Sequence, residues 1–489
     1  MDVQRPPEDT GPDEDETKPS SIRADIKAFV QSFYITNVPS YGNNFFFTIG
    51  IYLLELFAIL AISGMIMLIF GPYWWDLSVA GTFVRSVHLW AAEAFVTLMF
   101  VHLFVQLTTS AYRKKRLVWM LGAVMLLLVL LEFAFGVGIA GGLISQWNAK
   151  AGADLWNGMG LGYWLNPLNM GAVLGWHVAI VPILLAILMF THYMLVKSRG
   201  LNTPYRKDIP YSIVAADHRT MYKRMGYIAV IVLLFAIFLR VPYTAPLTIA
   251  GIANAHPDAV ALTLLEEFNF SSNTATYIDT IDPYTFSTRN VYVTAPYTYY
   301  LNITSAPNAE EALLAENVSA QRASLAQAHS YFDANGSIAQ GRNSSDPMIA
   351  LASELTLMAQ EGLYQPAVQN EEASGLDTTY VLLFINDTGE LGAAGQEYGL
   401  TTGQWGMLKV AAGSLPIQYW LAPYNLLEIM TSGIPWWNDI ENGTLAFLAF
   451  LVLLLLPYIP GLRSVPDKLK LYKIFWNRFT VPELKKRKK

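Results

Sequence analysis

The 489-residue chain contains no cysteine, and this absence removes several classes of protein at once. Disulfide-stapled scaffolds, thiolate zinc sites, cysteine-ligated iron–sulfur clusters and thioether-attached haem all require thiols. Charged residues are also scarce, at 14%, whereas 53% of the residues are hydrophobic and the mean hydropathy is +0.32. This composition is typical of membrane proteins. Any metal must therefore be held by histidine, methionine or carboxylate side chains.

Six apolar stretches are each long enough to cross a bilayer, because about 20 helical residues cover roughly 30 Å of hydrocarbon. We label them spans A to F, and they lie at about 46–70, 83–108, 117–140, 172–196, 225–243 and 444–460. Residues 1–28 form an acidic tail with several prolines, which is expected to be disordered. The expected fold class is therefore an all-α polytopic membrane protein, with spans A to D as a four-helix bundle and spans E and F as two further helices.

The orientation of the spans follows from the lysines and arginines in the short connections, because cytoplasmic loops carry an excess of both. The basic connections are the B–C link, the D–E link and the C-terminus, with Arg113, Lys114, Lys115 and Arg116, then Lys197, Arg199, Arg206, Lys207, Arg219, Lys223 and Arg224, and finally the closing KKRKK. All three lie on one side if every span crosses, so both termini are expected in the cytoplasm of a multi-pass cell-membrane protein. The other side then receives residues 249–442, which we call the insertion.

The insertion carries every N-x-S/T sequon of the chain, which agrees with an extracellular position. The seven candidate glycosylation sites are Asn269, Asn302, Asn317, Asn335, Asn343, Asn386 and Asn442. Chance composition in a segment rich in serine and threonine is the alternative explanation. From 250 to 441 there are 21 Asp and Glu against 4 Lys and Arg, so no nucleic-acid partner is expected. Repulsion among so few positive charges would stay small at low pH, which suggests an acidic exterior. A saline habitat, or acidic side chains that serve only solvation, is the alternative.

Local patterning predicts a mixed α+β fold for the insertion. Residues 308–330 and 350–362 have helix-like periodicity, whereas 290–302 and 378–385 are strand-like.

Four of the seven histidines lie inside predicted spans: His88 and His102 on B, His177 and His192 on D. A 14-residue interval turns a helix to within 40° of four full turns, and a 15-residue interval to within 60°. Each span therefore presents two imidazoles on one face, about 21 Å apart along its axis. Because B and D run in the same direction, His88 lies at the depth of His177 and His102 at that of His192.

Two depth-matched imidazole pairs predict two haems, each with bis-histidine ligation, stacked across the bilayer. Such ligation fills both axial positions and leaves the iron to carry single electrons. A single intramembrane histidine is more often a hydrogen-bonded interior residue or part of a proton path, and this remains the alternative.

Glycine pairs repeat the histidine interval on the two other spans of the bundle. Gly50 and Gly64 on A are 14 residues apart, as are Gly122 and Gly136 on C. A flat macrocycle needs a missing side chain where its edge meets a helix; ordinary small-residue packing of membrane helices is the alternative. Arg85, three residues before His88, is expected to pair with a haem propionate, or else to snorkel to the interface.

Together these residues resemble the cytochrome b subunit of quinol-oxidising bc-type complexes, over roughly residues 40–245. The motifs that carry the resemblance are the histidine and glycine pairs, R-S-V-H ending at His88, and H-V-A-I-V-P from His177 to Pro182. The 15-residue interval on span D with Pro182 is closer to the chloroplast and Gram-positive branch. The many sequons and the absence of cysteine suggest an archaeal-like member.

The resemblance implies b-type haems, a quinone or quinol substrate, a Rieske iron–sulfur protein and other respiratory subunits as partners, and a homo-oligomeric complex in the lipid membrane. Residues 145–156, SQWNAKAGADLW, are similar to the helical crossover that covers the outer quinol pocket in the family. The nearest match to the family's P-E-W-Y motif is PIQYWLAPY, 416–424. Pro416, Tyr419 and Tyr424 fit that frame, but Ile417 replaces the glutamate that usually accepts the proton.

Three residues are candidates for the outer-site chemistry that Ile417 cannot perform. Glu132 lies four residues before Gly136, close to the expected depth of the outer haem, and is the first candidate for the proton acceptor. Glu93 on span B lies at a similar depth, and Tyr419 is the third. The alternative for Glu132 is a structural hydrogen bond to a neighbouring helix.

The sequence thus predicts a dihaem cytochrome b that couples quinol oxidation to proton release outside. The expected domains are the tail 1–28, the dihaem bundle 29–200, the link and span E 201–248, the insertion 249–442, and span F with its basic C-terminus 443–489. One rival is a haem-bearing anchor of a quinone-linked dehydrogenase or reductase. The other is a glycosylated surface protein or transporter whose histidines relay protons.

Overall fold

The computed structural model describes residues 32–475, apart from 159–160, 163, 202–211, 277–285, 305, 370–375, 411–417, 435–436 and 438. The expected tail 1–28 and the closing basic segment therefore lie outside the described residues. Helices dominate the described chain, and two short strands accompany them. In chain order these elements are β1 Asn37–Pro39, α1 Phe45–Phe70, α2 Pro72–Leu77, α3 Val79–Thr108, α4 Arg116–Ile139, α5 Gly142–Gly158, α6 Met170–Arg199, β2 Ile213–Ala215, α7 His218–Phe238, α8 Ile249–Ala255, α9 Pro257–Asn269, α10 Ala295–Ile303, α11 Ala309–Leu314, α12 Val318–Asp333, α13 Ile338–Gly341, α14 Pro347–Gln360, α15 Tyr364–Val368, α16 Thr379–Asp387, α17 Glu390–Glu397, α18 Ala422–Thr431, α19 Asp439–Leu455 and α20 Val465–Lys468.

Five of these helices are long and apolar enough to cross a bilayer: α1, α3, α4, α6 and α7. They correspond to spans A to E, and their bounds differ from the predicted ones mostly by a few residues. Span F is the shorter helix α19, which ends at Leu455, five residues before the predicted limit. Trp119 on α4 donates its indole N–H to the carbonyl of Leu453 at 2.8 Å, which fixes α19 against the bundle.

The long helices begin and end where side chains or glycine satisfy the free backbone groups. Asn44 accepts from the N–H of Phe46 at the start of α1, and Ser78 accepts from that of Gly81 at the start of α3. Gly71, with φ +78°, ends α1, because a left-handed residue there costs glycine little. The turn between α1 and α3 is therefore specified by its own sequence.

Helix α6 contains one wide π turn, Trp176–Ile180, between its two α-helical parts. Pro182 explains this turn, because proline lacks an N–H and its ring crowds the carbonyl four residues earlier. The backbone accommodates the proline by widening one turn to a π turn, and the helix continues beyond it. His177 lies inside the π turn, so the local geometry of this imidazole depends on it.

A two-stranded antiparallel sheet joins the segment before α1 to the link before α7. Asn37 pairs with Ala215, Val38 with Val214, and Pro39 with Ile213. This short sheet holds the chain ends of the bundle together on the side away from the insertion.

The described part of the insertion is helical, so the predicted mixed α+β fold is wrong. Residues 290–302 form a π turn followed by α10, and 378–385 lie mostly in α16. Tyrosine, valine and threonine give these segments a strand-like composition, but these residues favour strands only where they can pack on the pleated surface of a sheet. Here Tyr292 and Tyr297 are fully buried against other helices, and the Tyr297 hydroxyl donates to Glu354 at 2.6 Å. The predicted helices at 308–330 and 350–362 are confirmed by α11, α12 and α14.

The insertion packs directly on α5, the crossover helix between spans C and D. Leu143 belongs to the same buried hydrophobic cluster as the insertion core, and Trp147 packs against it. Gln146 pairs with the backbone of Leu247, since its amide donates to the carbonyl and accepts from the N–H, both at 2.8 Å. A side chain at Gly395 would overlap the Trp147 ring, which shows how closely α17 approaches α5. The crossover helix is therefore held between the bundle and the insertion.

Two carboxyl groups are buried side by side in the insertion, on α9 and α16. Glu267 is 0% exposed, and its Oε2 accepts from the Ser272 hydroxyl at 2.8 Å. Asp387 accepts from the backbone N–H of Thr274 at 3.1 Å. Glu267 Oε1 and Asp387 Oδ1 find no donor among the described residues, as expected if one proton joins the two carboxyls. Burial, and then the neighbouring Asp387 carboxyl, raises the pKa of Glu267 to about 9, and burial also raises the pKa of Asp387.

This pair predicts that the insertion is more stable in acid than at neutral pH. The pKa of Glu267 is raised from about 4.5 in the unfolded chain to about 9 in the folded one. Its contribution to the free energy of unfolding is therefore complete below pH 4.5 and is lost as the pH rises toward 9. The loss between pH 4.5 and pH 7 should be on the order of 3 kcal/mol. Chemical unfolding of the full chain in detergent, followed by hydrogen exchange in α9 and α16, measures it.

Replacement of Glu267 by Gln should flatten this pH dependence, while the exposed control Glu361→Gln should leave it in place. Equal stability of the parent at pH 4.5 and pH 7 would contradict the shared proton. The sequence-based expectation of an acidic exterior stays a prediction, which this pair supports.

Candidate functional site

The four span histidines lie at two depths in the bundle, and each faces one of the predicted glycines. A Cβ on Gly64 would lie 3.1 Å from Cε1 of His88, and one on Gly50 would lie 3.9 Å from Cε1 of His102. Helix α1 therefore provides open backbone opposite both histidines of α3.

Helices α4 and α6 repeat this arrangement on the other side of the bundle. A Cβ on Gly136 would lie 2.9 Å from Cε1 of His177, and one on Gly122 would lie 3.5 Å from Cε1 of His192. Since contacts under 3.0 Å essentially never occur for real Cβ atoms, Gly136 has to be glycine if His177 keeps this position. All four predicted glycines thus meet the imidazoles themselves, which simple helix packing does not require.

His88 and His177 form the outer pair, which we define as the pair nearer the insertion. Their ring centroids are 6.2 Å apart and the ring planes are inclined by 70°. The separation is too large for direct contact and leaves room for a metal ion at about 2 Å from each ring nitrogen. The Nδ1 of His88 lies 2.9 Å from the Ser63 hydroxyl. The Nδ1 of His177 lies 3.1 Å from the carbonyl oxygen of Glu132 and 3.1 Å from its carboxylate Oε1.

His102 and His192 form the inner pair, which lines a cavity of about 630 Å³ together with Gly50 and Gly122. This volume lies within the range of about 300–1,000 Å³ for small-molecule and cofactor sites. The Nδ1 of His102 is buried and has no hydrogen-bond partner among the described residues, and His192 has a backbone contact with Val118. The cavity continues past the histidines to the end of the bundle away from the insertion, where it meets Tyr34, His218 and Tyr222.

These observations fit two metal-porphyrin sites. Each site has two imidazole nitrogen donors on facing helices and a glycine opposite each ring. The inner pair also lines a cavity of suitable size. His88 and His177 would hold one group, and His102 and His192 the other.

Arg85 is buried near the outer pair, and its neighbour is a residue that sequence reasoning missed. Its Nη1 lies 3.4 Å from Oδ1 of Asp76 on α2, and its guanidinium lies 5.6 Å from the Tyr243 ring centroid. Neither Nη1 of Arg85 nor Oδ1 of Asp76 makes a hydrogen bond within the described chain. The guanidinium can therefore still donate to another anion. Burial raises the pKa of Asp76, and the Arg85 charge opposes that rise. The only sequence signal for Asp76 was a lone acid in the aromatic turn before span B.

The three candidates for quinol chemistry separate into two places. Tyr419 donates its hydroxyl proton to Thr97 Oγ1 at 2.9 Å, and Thr97 donates to the carbonyl of Glu93 at 2.7 Å. Glu93 is only 6% exposed, and its Oε1 has no hydrogen-bond partner in the described structure. Glu132, in contrast, lies against His177. Tyr424 lies in α18, whereas Pro416 and Ile417 lie outside the described residues.

The sequons differ in their access to solvent. Five of the asparagines are exposed: Asn269, Asn302, Asn317, Asn335 and Asn343. Asn386 is half-buried. Asn442 is only 2% exposed, and its amide nitrogen donates to the Thr431 hydroxyl at 3.1 Å. Its side-chain oxygen accepts from the Trp437 indole at 2.8 Å. Asn442 therefore has no room for a glycan in this conformation, which corrects the sequence-based list at that position.

Part of the chain is similar to known cytochrome b proteins. Residues 93–250 match the family described as Cytochrome b(N-terminal)/b6/petB. The cytochrome bc complex cytochrome b subunit of Chlorobaculum thiosulfatiphilum is 26% identical over 238 residues, which cover 41% of this chain and 54% of that protein. Cytochrome b6 of Chlamydomonas reinhardtii is 25% identical over 136 residues, or 25% of this chain and 63% of that protein.

The chain thus spans between half and two thirds of the length of these curated relatives. Among solved structures, a chain described as Hyperthermophilic respiratory Complex III aligns with 75% of this chain and 98% of its own, with 16% identity and a TM-score of 0.38.

The glycine opposite His177 yields a test of the outer site. Replacement of Gly136 by Ala places a methyl group 2.9 Å from Cε1 of His177, so the ring or the helix must move. Such overpacking costs about 1–3 kcal/mol, which corresponds to a roughly ten- to hundredfold loss of affinity for the group bound at the outer pair. The measurement is a titration of apo-protein with haem.

The matched control is Gly138→Ala on the same helix, where a Cβ would lie 3.7 Å from Val173, an ordinary contact. If both alanine variants bind the two haems like the parent, Gly136 is not part of the site.

Proposed function

We propose that the whole chain is the dihaem cytochrome b of a quinol-oxidising respiratory complex, from the premise that residues 93–250 match the cytochrome b N-terminal family. The observation that carries the proposal is the set of four histidine–glycine contacts at two depths. When bound between the two imidazole pairs, b-type haems would carry single electrons from the outer pair to the inner pair.

The outer quinol site is proposed beside Glu93 and Tyr419. The Tyr419 hydroxyl donates to Thr97, and Thr97 in turn donates to the backbone carbonyl of Glu93, so the Tyr419 side chain lies beside the residue whose carboxylate Oε1 is unpartnered within the described chain. A quinol hydroxyl within hydrogen-bond distance of this carboxylate can transfer its proton to it, since a general base must lie within that distance of the proton it accepts. Glu93 then fills the role that the resemblance assigns to the glutamate replaced by Ile417, and the proton leaves on the insertion side. Glu132 is less well placed for it because its carboxylate faces His177.

The inner quinone site is proposed in the cavity beyond His102 and His192. That cavity opens away from the insertion, and its far wall carries His218, whose buried Nδ1 has no partner within the described chain, and the hydrogen-bonded hydroxyls of Tyr34 and Tyr222. Such groups can bind the carbonyl oxygens of a quinone and deliver protons to it.

The remaining parts of the proposal concern partners and topology. Five apolar helices support a membrane position, and the distribution of basic residues supports cytoplasmic termini with the insertion outside. The exposed sequons of the insertion are proposed to carry glycans, with Asn442 withdrawn. The partners are a Rieske iron–sulfur protein and other respiratory subunits, in a homo-oligomeric complex.

One observation favours the rival function of a haem-bearing anchor for a quinone-linked dehydrogenase or reductase. The insertion packs on α5, the helix that the resemblance places over the outer quinol pocket, beside the Rieske dock. Purification of the native complex separates the two functions: a Rieske subunit supports the bc-type assignment, and a flavin or molybdenum subunit supports the rival.

The first test is a reduced-minus-oxidised visible spectrum of the purified chain with quinol as reductant. We expect two b-type transitions. Replacement of His102 or His192 by Leu should remove the inner transition completely and leave the outer one, because each site takes its ligands from one depth. A parent protein without haem bands would support the transporter class instead, and survival of both transitions in either variant would contradict the pairing.

The second test concerns the proton acceptor at the outer site. Replacement of Glu93 by Gln keeps the size of the side chain but removes its titratable proton, so quinol oxidation should fall about a hundredfold or more. Both haem transitions should stay.

Glu93→Asp, which restores a carboxyl, should recover part of the rate and is the matched control. Quinol oxidation by the Gln variant at the parent rate across the pH range would remove Glu93 from the mechanism.

A further inference from the structure

The two histidine pairs differ in what their outward-facing ring nitrogens contact. Both Nδ1 atoms of the outer pair have polar neighbours: the Ser63 hydroxyl for His88 and Glu132 for His177. Neither Nδ1 of the inner pair meets a side chain: that of His102 is buried without a partner in the described structure, and His192 has only a backbone contact, with Val118. A carboxylate therefore touches one histidine of the four, and that histidine belongs to the outer pair.

The contact between Glu132 and His177 is double. The Nδ1 of His177 lies 3.1 Å from the carbonyl oxygen of Glu132 and 3.1 Å from its carboxylate Oε1. Both side chains are largely buried, at 16% and 19% exposure, and Oε2 of Glu132 makes no other hydrogen bond within the described residues. The backbone carbonyl alone would suffice to orient the ring, so the carboxylate adds an interaction beyond orientation.

The chemical consequence follows from which nitrogen carries the proton. A metal-bound imidazole uses one ring nitrogen as ligand and donates the N–H of the other. When a carboxylate accepts that N–H, the imidazole becomes more basic and binds the more positive metal state more strongly. The ferric form of the site gains relative to the ferrous form, and the reduction potential falls.

We propose that Glu132 is a positioning residue that accepts the Nδ1–H of His177 and thereby lowers the reduction potential of the outer haem. This inference rests on the proposed dihaem function and deepens it. Glu132, first considered as the acceptor of the quinol proton, acts through His177 and leaves quinol chemistry to Glu93.

The experiment is a potentiometric titration of both haem transitions in the purified full-length protein, together with the ferric EPR spectrum. Glu132→Gln retains the volume and the backbone carbonyl contact but removes the negative charge, so both haems should remain bound. The ferric–ferrous equilibrium of the outer haem should shift toward the ferrous form by at least tenfold, which is about 59 mV for one electron. The inner transition should stay, and the outer EPR signal should move.

Two further variants distinguish the hydrogen bond from a general effect of charge. Glu132→Asp keeps the charge but withdraws the carboxylate from Nδ1, so the outer potential should rise here too; this variant also serves if the Gln variant loses its outer haem. Glu93→Gln removes a buried carboxylate from the neighbouring helix α3 without touching His177 and should leave the outer potential close to the parent value. Two outcomes would overturn the proposal: an unshifted outer potential in the Asp variant, or an equal shift in Glu93→Gln. A parent protein without two haem transitions would instead refute the proposed function.

Discussion

The structure depends on one steric constraint: each of the four imidazoles inside the membrane-spanning bundle must face a glycine on a neighbouring helix. Two helices supply the histidines, and two others supply glycines at matching intervals. Neither set is informative alone, because membrane helices commonly pack through small residues. Once the sets face each other, the neighbours of each helix and its axial register are both determined. The flanking helices α7 and α19 pack against this bundle, and the indole N–H of Trp90 and that of Trp119 donate to Leu239, just after α7, and to Leu453 of α19.

The parts of this protein that were predictable from sequence are those with a strict period. The spans and the histidine and glycine intervals could be read directly, because hydrophobic length and helical pitch leave little choice. The insertion was harder, since its tyrosine-rich segments have the composition of strands but pack as helices around Tyr292 and Tyr297. Partners brought together by folding, such as Asp76 beside Arg85, carry no periodic signal at all. Glu132 was recognised as unusual, yet only the structure shows that His177 is its neighbour.

The insertion and the bundle are coupled through α5. Its inward side chains contribute to the hydrophobic core of the insertion, and its Gln146 amide closes a pair of hydrogen bonds with the chain that enters the insertion. A crossover helix held on two sides cannot tilt without breaking both contacts. The helix that the resemblance places over the outer pocket is therefore fixed in position. Acid stability of the Glu267–Asp387 pair would transmit to this helix through α16, because Leu383 of α16 packs with Ala149 and Ala153 of α5.

The π turn in α6 explains why unequal sequence intervals give equal depths. His88 and His102 are 14 residues apart on a regular helix, whereas His177 and His192 are 15 apart on a helix that contains one wide turn. That turn absorbs the additional residue, so the second imidazole returns to the azimuth and height required by its partner. Pro182 therefore sets the register of α6. The π turn that it induces lets the 15-residue interval of α6 match the 14-residue interval of α3.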